Sequence, residues 1–137
     1  MWLRIDPRQA KPLYLQVVDG VKEAVAKEAL KAGDRLPSVR ELAATMTLNP
    51  NTVAKAYQEL EREGVIEVIR GRGTFVAKPG ARPHKEEQLN AMKEMMKQVW
   101  VEAQHLGLST PDFLELIRAW TAEWDGAKGR ESRGSSH

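Results

Sequence analysis

The sequence predicts a mainly α-helical α+β chain, with three short helices and one small β-hairpin in its first half and two longer helices in its second. Three observations carry this. Apolar residues recur at spacings of three and four through most of the chain. That period breaks at the β-branched run Val65-Ile66-Glu67-Val68-Ile69, which Arg70-Gly71-Arg72-Gly73 separates from Thr74-Phe75-Val76. Lys78-Pro79-Gly80-Ala81-Arg82-Pro83 then reads as a linker between the halves.

The first helix is expected from about Pro12 to Ala29. Tyr14, Val17, Val18, Val21 and Val25 line its inner face, and Gly33 ends it or the turn after it. Ser38, with Glu41 three residues on, is a capping box in which each side chain satisfies a free backbone N–H. A second helix should start there and turn Leu42, Ala43 and Met46 inward. Asn49 is an N-cap, and Pro50 suits a first helical position because its missing N–H has no partner there. This third helix should run to about Glu63, bury Val53, Ala56, Tyr57 and Leu60, and end on Gly64 as a left-handed cap. Two short helices joined by a tight turn and followed at once by a hairpin make a winged helix-turn-helix.

Beyond the linker, Leu89, Met92, Met96, Val99, Ala103 and Leu106 follow an alternating three-four spacing, the a/d seam of a coiled coil. Met95 and Trp100 broaden it. Gly107 can end this helix. Thr110-Pro111-Asp112 caps the next, with Pro111 at the first helical position, and Phe113, Leu114, Ile117, Trp120 and Trp124 form its apolar face. The two helices are expected to pack as a hairpin that still exposes apolar surface, which a second copy of the chain would cover. The interface residues are Leu89, Met92, Met96, Val99, Trp100, Ala103, Leu106, Phe113, Ile117 and Trp120. From Asp125 onward, glycines, serines and charges predict a disordered tail. The predicted organisation is therefore a winged helix-turn-helix domain over 1–77, a linker over 78–83, a helical dimerisation segment over 84–124 and a tail over 125–137.

Several classes are excluded. The chain has no cysteine, and His84, His105 and His137 lack metal-ligand spacing, so no metal is expected. No Ser-His-Asp set, phosphate loop or dinucleotide fingerprint occurs, which predicts neither an enzyme nor a cofactor. No apolar run approaches the ~20 residues of a membrane span, and the N-terminus does not read as a signal peptide. A cytoplasmic protein is expected. The net charge of +2 says little by itself. Its placement says slightly more: residues 1–80 hold 13 basic and 10 acidic side chains, and residues 81–137 hold 8 and 9.

The residues best suited to a partner are those that read DNA. The second helix of such a pair enters the major groove by its N-terminal end, which here carries Asn49, Asn51, Thr52 and Lys55. Asn can bond an adenine edge bidentately, and Thr can meet a phosphate or a thymine methyl. Ser38 and Arg40 open the preceding helix, where Arg40 can reach a phosphate or a guanine. The hairpin tip sets Arg70 and Arg72 around Gly71, slim enough for a minor groove whose negative potential attracts arginine. Each feature has a plainer role as cap, surface charge or polar turn. Their ordered series is the specific signal.

That series resembles the DNA-binding domain of the GntR family of bacterial regulators. The resemblance lies in Pro12-Leu13-Tyr14-Leu15-Gln16, in Gly33-Asp34-Arg35-Leu36-Pro37-Ser38-Val39-Arg40-Glu41-Leu42-Ala43, in Asn49-Pro50-Asn51-Thr52-Val53, and in Ala56-Tyr57, Leu60-Glu61 and Glu63-Gly64. It ends in Arg70-Gly71-Arg72-Gly73-Thr74-Phe75-Val76. The Asn-Pro-Asn-Thr-Val turn and the short C-terminal part are similar to the YtrA-like subfamily. The resemblance implies a regulator, in the subfamily a repressor, that binds an inverted repeat of double-stranded DNA as a homodimer. It places DNA contacts at Arg40, Asn49, Asn51, Thr52, Arg70 and Gly71. Other subfamilies often carry arginine at positions 50 and 54, where this chain has Pro50 and Ala54. Base readout is thus expected to lean on Asn51, Thr52, Lys55 and Arg40. An unknown small-molecule effector is compatible with the family, but 84–124 is too short to enclose a private pocket of the usual ~300 Å³. The competing function is a protein-interaction module that works through the C-terminal helices alone.

Overall fold

The computed structural model describes residues 1–78 and 84–135, with side chains through Asp125. The chain divides into two compact units, Met1–Pro83 and His84–His137.

In the first unit, α1 (Leu13–Ala26) is followed by the short strand β1 (Arg35–Leu36), α2 (Val39–Met46), α3 (Pro50–Arg62), β2 (Ile66–Ile69) and β3 (Gly73–Val76). The predicted α+β class is observed, with one addition. The hairpin is the larger part of a three-stranded antiparallel sheet of order β1-β3-β2. Arg35 pairs with Phe75 and Leu36 with Thr74, while β2 and β3 pair from Ile66–Val76 to Ile69–Gly73. α1 ends at Ala26, one turn earlier than expected, because Glu28 enters the left-handed region at φ 60°.

The core forms where α1, α2 and α3 meet beneath the sheet. Val17, Val21, Leu42, Val53, Ala56 and Leu60 are fully inaccessible to solvent. Burying such side chains contributes about 1.5–3 kcal/mol each for the larger aliphatics. The N-terminal segment belongs to this core, which the sequence did not indicate. Leu3 is buried, and Trp2 and Ile5 pack against the cluster. The buried Gln16 side chain holds the segment: its amide oxygen accepts the Asp6 N–H at 2.8 Å, and its amide nitrogen donates to the Asp6 and Lys11 carbonyls. A β-carbon at Gly20 would overlap Leu3 Cδ1, so this helical glycine makes room for the segment.

In the second unit, α4 spans Lys85–His105 and α5 spans Thr110–Ser135. Gly107, at φ 78°, terminates α4 as expected. Three expectations are corrected. The α5 cap is Ser109, whose Oγ accepts the Asp112 N–H at 3.2 Å, so Pro111 sits one position further in. The helix does not stop at Asp125 but continues to Ser135. Ala127, Lys128, Arg130, Glu131 and Arg133 are helix formers, and extending an existing helix costs far less than nucleating one. Nor do α4 and α5 pack closely along one another, although the apolar surface expected to stay exposed is exposed. Leu89, Met96, Val99 and Leu106 are 41, 56, 57 and 72 % exposed, and Trp120 is 52 % exposed. Ala103 is the one buried side chain among this unit's described residues, so it has little surface left to offer a second copy. Of the linker, residues 79–83 lie outside the described residues, as do residues 136–137 of the tail.

Candidate nucleic-acid interface

The geometry of the site begins with its helix starts. The Ser38 hydroxyl accepts the Glu41 N–H at 3.1 Å, and the Glu41 carboxylate accepts the Ser38 N–H at 3.4 Å. The capping box is therefore complete, and the Ser38 oxygen is used in it. Arg40, two residues on, is exposed. Asn49 Oδ1 accepts the Asn51 N–H at 2.8 Å, with Pro50 in the first turn of α3. Its oxygen is thus engaged in the cap, while its amide nitrogen remains a donor for a ligand. Asn51 is exposed and Thr52 half-buried at the same helix start.

α2 and α3 are locked together from beneath. The buried Tyr57 hydroxyl donates to the Pro37 carbonyl at 2.7 Å. Burial, with a smaller contribution from the negative charge of Glu41, pushes the Tyr57 phenol well above its ordinary pKa. The turn between the two helices places Thr47 in the left-handed region at φ 55°, an uncommon conformation for a β-branched residue.

The hairpin tip is built for a tight reversal. The Arg72 N–H donates to the Ile69 carbonyl at 2.9 Å, and Gly71 has φ 80°, which a type II turn requires at its third position. Arg70, Gly71 and Arg72 are all exposed. Arg35, not anticipated as a site residue, reaches this region: its Nε lies 3.3 Å from where a Gly73 β-carbon would be. A two-residue strand has no periodicity that would reveal it in the sequence.

One expected reader is engaged by a ring on another helix. The Lys55 Nζ stands 4.0 Å from the centroid of the Tyr14 ring on α1. Further along α3, Arg62 is paired with Glu59, and this hydrogen bond holds the Glu59 carboxyl below its usual range. Gln58 is exposed on the same helical stripe as Asn51 and Lys55. An open groove of about 440 Å³ lies between the N-terminal segment and α1. Its Gln16 and Lys11 side chains are already bonded to Asp6 and Asp19, respectively. No helix of the described residues is long and apolar enough to cross a membrane, and the described residues hold no cluster of potential metal ligands.

Comparison with known proteins agrees with this architecture. The family profile described as "Bacterial regulatory proteins, gntR family" matches residues 13–76. The HTH-type transcriptional repressor YtrA of Bacillus subtilis is 43% identical over 126 residues, covering 92% of this chain and 97% of that protein. A crystal structure of a transcriptional antiterminator from Listeria monocytogenes superposes with a TM-score of 0.80 at 32% identity, covering 90% of this chain and 92% of the other. YtrA from Sulfolobus acidocaldarius, a GntR-family transcription factor, aligns at 32% identity with a TM-score of 0.53, covering 88% and 97%. With 43% identity over nearly the whole length of one such regulator and a capped helix pair followed by a wing, the chain belongs to the gntR family and is a DNA-binding transcriptional regulator.

Proposed function

We propose that the protein is a repressor that binds an inverted-repeat operator as a homodimer. The observation that carries this is the presence, within one unit, of an α3 start with Asn51 exposed and a hairpin tipped by Arg70 and Arg72. Asn51 and Thr52 read base edges, with Arg40 at a guanine or phosphate, while the wing arginines take the minor groove or its phosphates. Asn49 and Ser38 act first as caps. The open apolar faces of α4 and α5 support pairing of two chains, because surface of this kind is costly to leave in water. Pairing then gives a two-fold arrangement of recognition helices that suits an inverted repeat. The repressor role rests on the similarity to YtrA of Bacillus subtilis, which carries that description.

Selection of bound sequences from random duplex DNA tests the proposal. An inverted repeat should emerge and bind with a nanomolar-scale Kd that weakens steeply with salt. Asn51→Ala or Thr52→Ala should alter base preference within each half-site. Arg70→Ala or Arg72→Ala should weaken all duplexes alike and lower the salt slope by about one. Equal affinity for the selected duplex and its scrambled version overturns specific recognition.

A further inference from the structure

Lys55 and Tyr14 form a relationship that base readout does not use. Tyr14 lies in the first turn of α1, half-buried, and α1 packs along α3. Its ring face holds the Lys55 ammonium at 4.0 Å, within the range of a cation–π attraction. That attraction draws the charge towards the flank of α3 that borders α1 and away from the outermost line of the helix. A recognition helix meets base edges along that outer line, and the phosphates of the two strands run along its flanks. An ammonium retains N–H donors when it sits on a ring, so it can still bond an oxyanion.

We propose that Tyr14 is a positioning residue for DNA binding: its ring holds Lys55 beside α1, where the ammonium clamps a phosphate of the operator backbone instead of reading a base. The proposal rests on the DNA-binding function stated above and revises the role that spacing alone suggests for Lys55. It also makes the first turn of α1 part of the DNA footprint.

The full chain should be titrated with the selected operator and with a scrambled duplex over a range of salt, as wild type, Lys55→Met, Tyr14→Phe, Tyr14→Leu and Tyr14→Leu/Lys55→Met. Lys55→Met should weaken both duplexes by the same factor and lower the salt slope by about one. Tyr14→Phe keeps the ring and should match wild type. Tyr14→Leu should weaken binding about two- to fivefold, with base preference unchanged. In the Lys55→Met background it should have no further effect. Thermal melts identify the folded variants, and Tyr14→Met replaces Tyr14→Leu if the latter does not fold. The proposal is overturned if Lys55→Met changes base preference, if Tyr14→Phe is as weak as Tyr14→Leu, or if Tyr14→Leu weakens binding equally without Lys55. Failure of DNA recognition itself would appear separately, as a wild type that does not distinguish operator from scrambled duplex.

Discussion

The Tyr57 hydroxyl donates a hydrogen bond to the carbonyl of Pro37, tying the middle of the recognition helix to the residue that leads into the capping box of α2. Tyr57→Phe removes the donor and leaves that half-buried carbonyl unpaired, at an expected cost of about 1 kcal/mol in denaturant unfolding. The same substitution has a pH signature. The folded phenol ionises above its ordinary value, so an unfolded chain loses this proton first as pH rises. The contribution is fully present below about pH 10 and declines above it, by up to about 1.4 kcal/mol per pH unit. The stability gap between wild type and Tyr57→Phe should therefore narrow in alkaline unfolding titrations. A constant gap would mean that Tyr57 ionises normally in the folded chain.

Gly20 offers a test of the N-terminal segment. A glycine inside a helix ordinarily costs about 1 kcal/mol relative to alanine. Here the added methyl would displace the buried Leu3 side chain, so Gly20→Ala should fail to stabilise and should lower the melting temperature. In a Leu3→Ala background the overlap is gone, and the same change should raise it. The reversal of sign, read in a four-protein thermal cycle, is the check.

Thr47 sits between α2 and α3 in a left-handed conformation that disfavours its branched β-carbon. Thr47→Gly should stabilise by about 1 kcal/mol, a rise of roughly 4–8 °C in Tm for a unit of this size. Loss of stability would show that the threonine side chain makes a compensating contribution.

Val99 lies at the centre of the exposed seam on α4. Val99→Glu puts a charge where pairing would bury it, and the uncompensated desolvation opposes association. Sedimentation velocity should show the wild type as a dimer and the variant as a monomer. The operator Kd should rise at least about tenfold as the second half-site contact becomes intermolecular. An unchanged dimer would place the interface elsewhere.

What the sequence revealed and what it concealed divide along physical lines. The capping box at Ser38, the Asn49-Pro50 start and the turn at Gly71 are local devices, each specified within a few residues, and all three are observed. β1 is invisible because two residues have no period; it exists only because β3 presents a partner edge. Asp6 meets Gln16, and Leu3 joins the core, across a loop whose packing no local pattern encodes. The glycines after Asp125 suggest disorder when read singly, whereas the intervening helix formers sustain α5 to Ser135. Within the site, the caps were legible but the direction of Lys55 was not, since it depends on a ring from another helix. Heptad spacing likewise shows that α4 has an apolar face without saying what covers it.

The stretch from Gly33 to Ser38 is bonded at nearly every step. The Gly33 N–H reaches the Val76 carbonyl and the Asp34 carbonyl takes the Val76 N–H; Arg35 and Leu36 pair with β3, Pro37 receives Tyr57, and Ser38 closes the capping box. The wing base, the entry to α2 and the recognition helix are thereby riveted into a single stiff frame. Such a frame has little internal freedom to surrender when it docks, so ordering entropy subtracts little from its affinity. It also cannot stretch to fit a site whose grooves are spaced differently. The adjustment then falls on the duplex, and operators should differ in affinity according to how readily their untouched base steps deform.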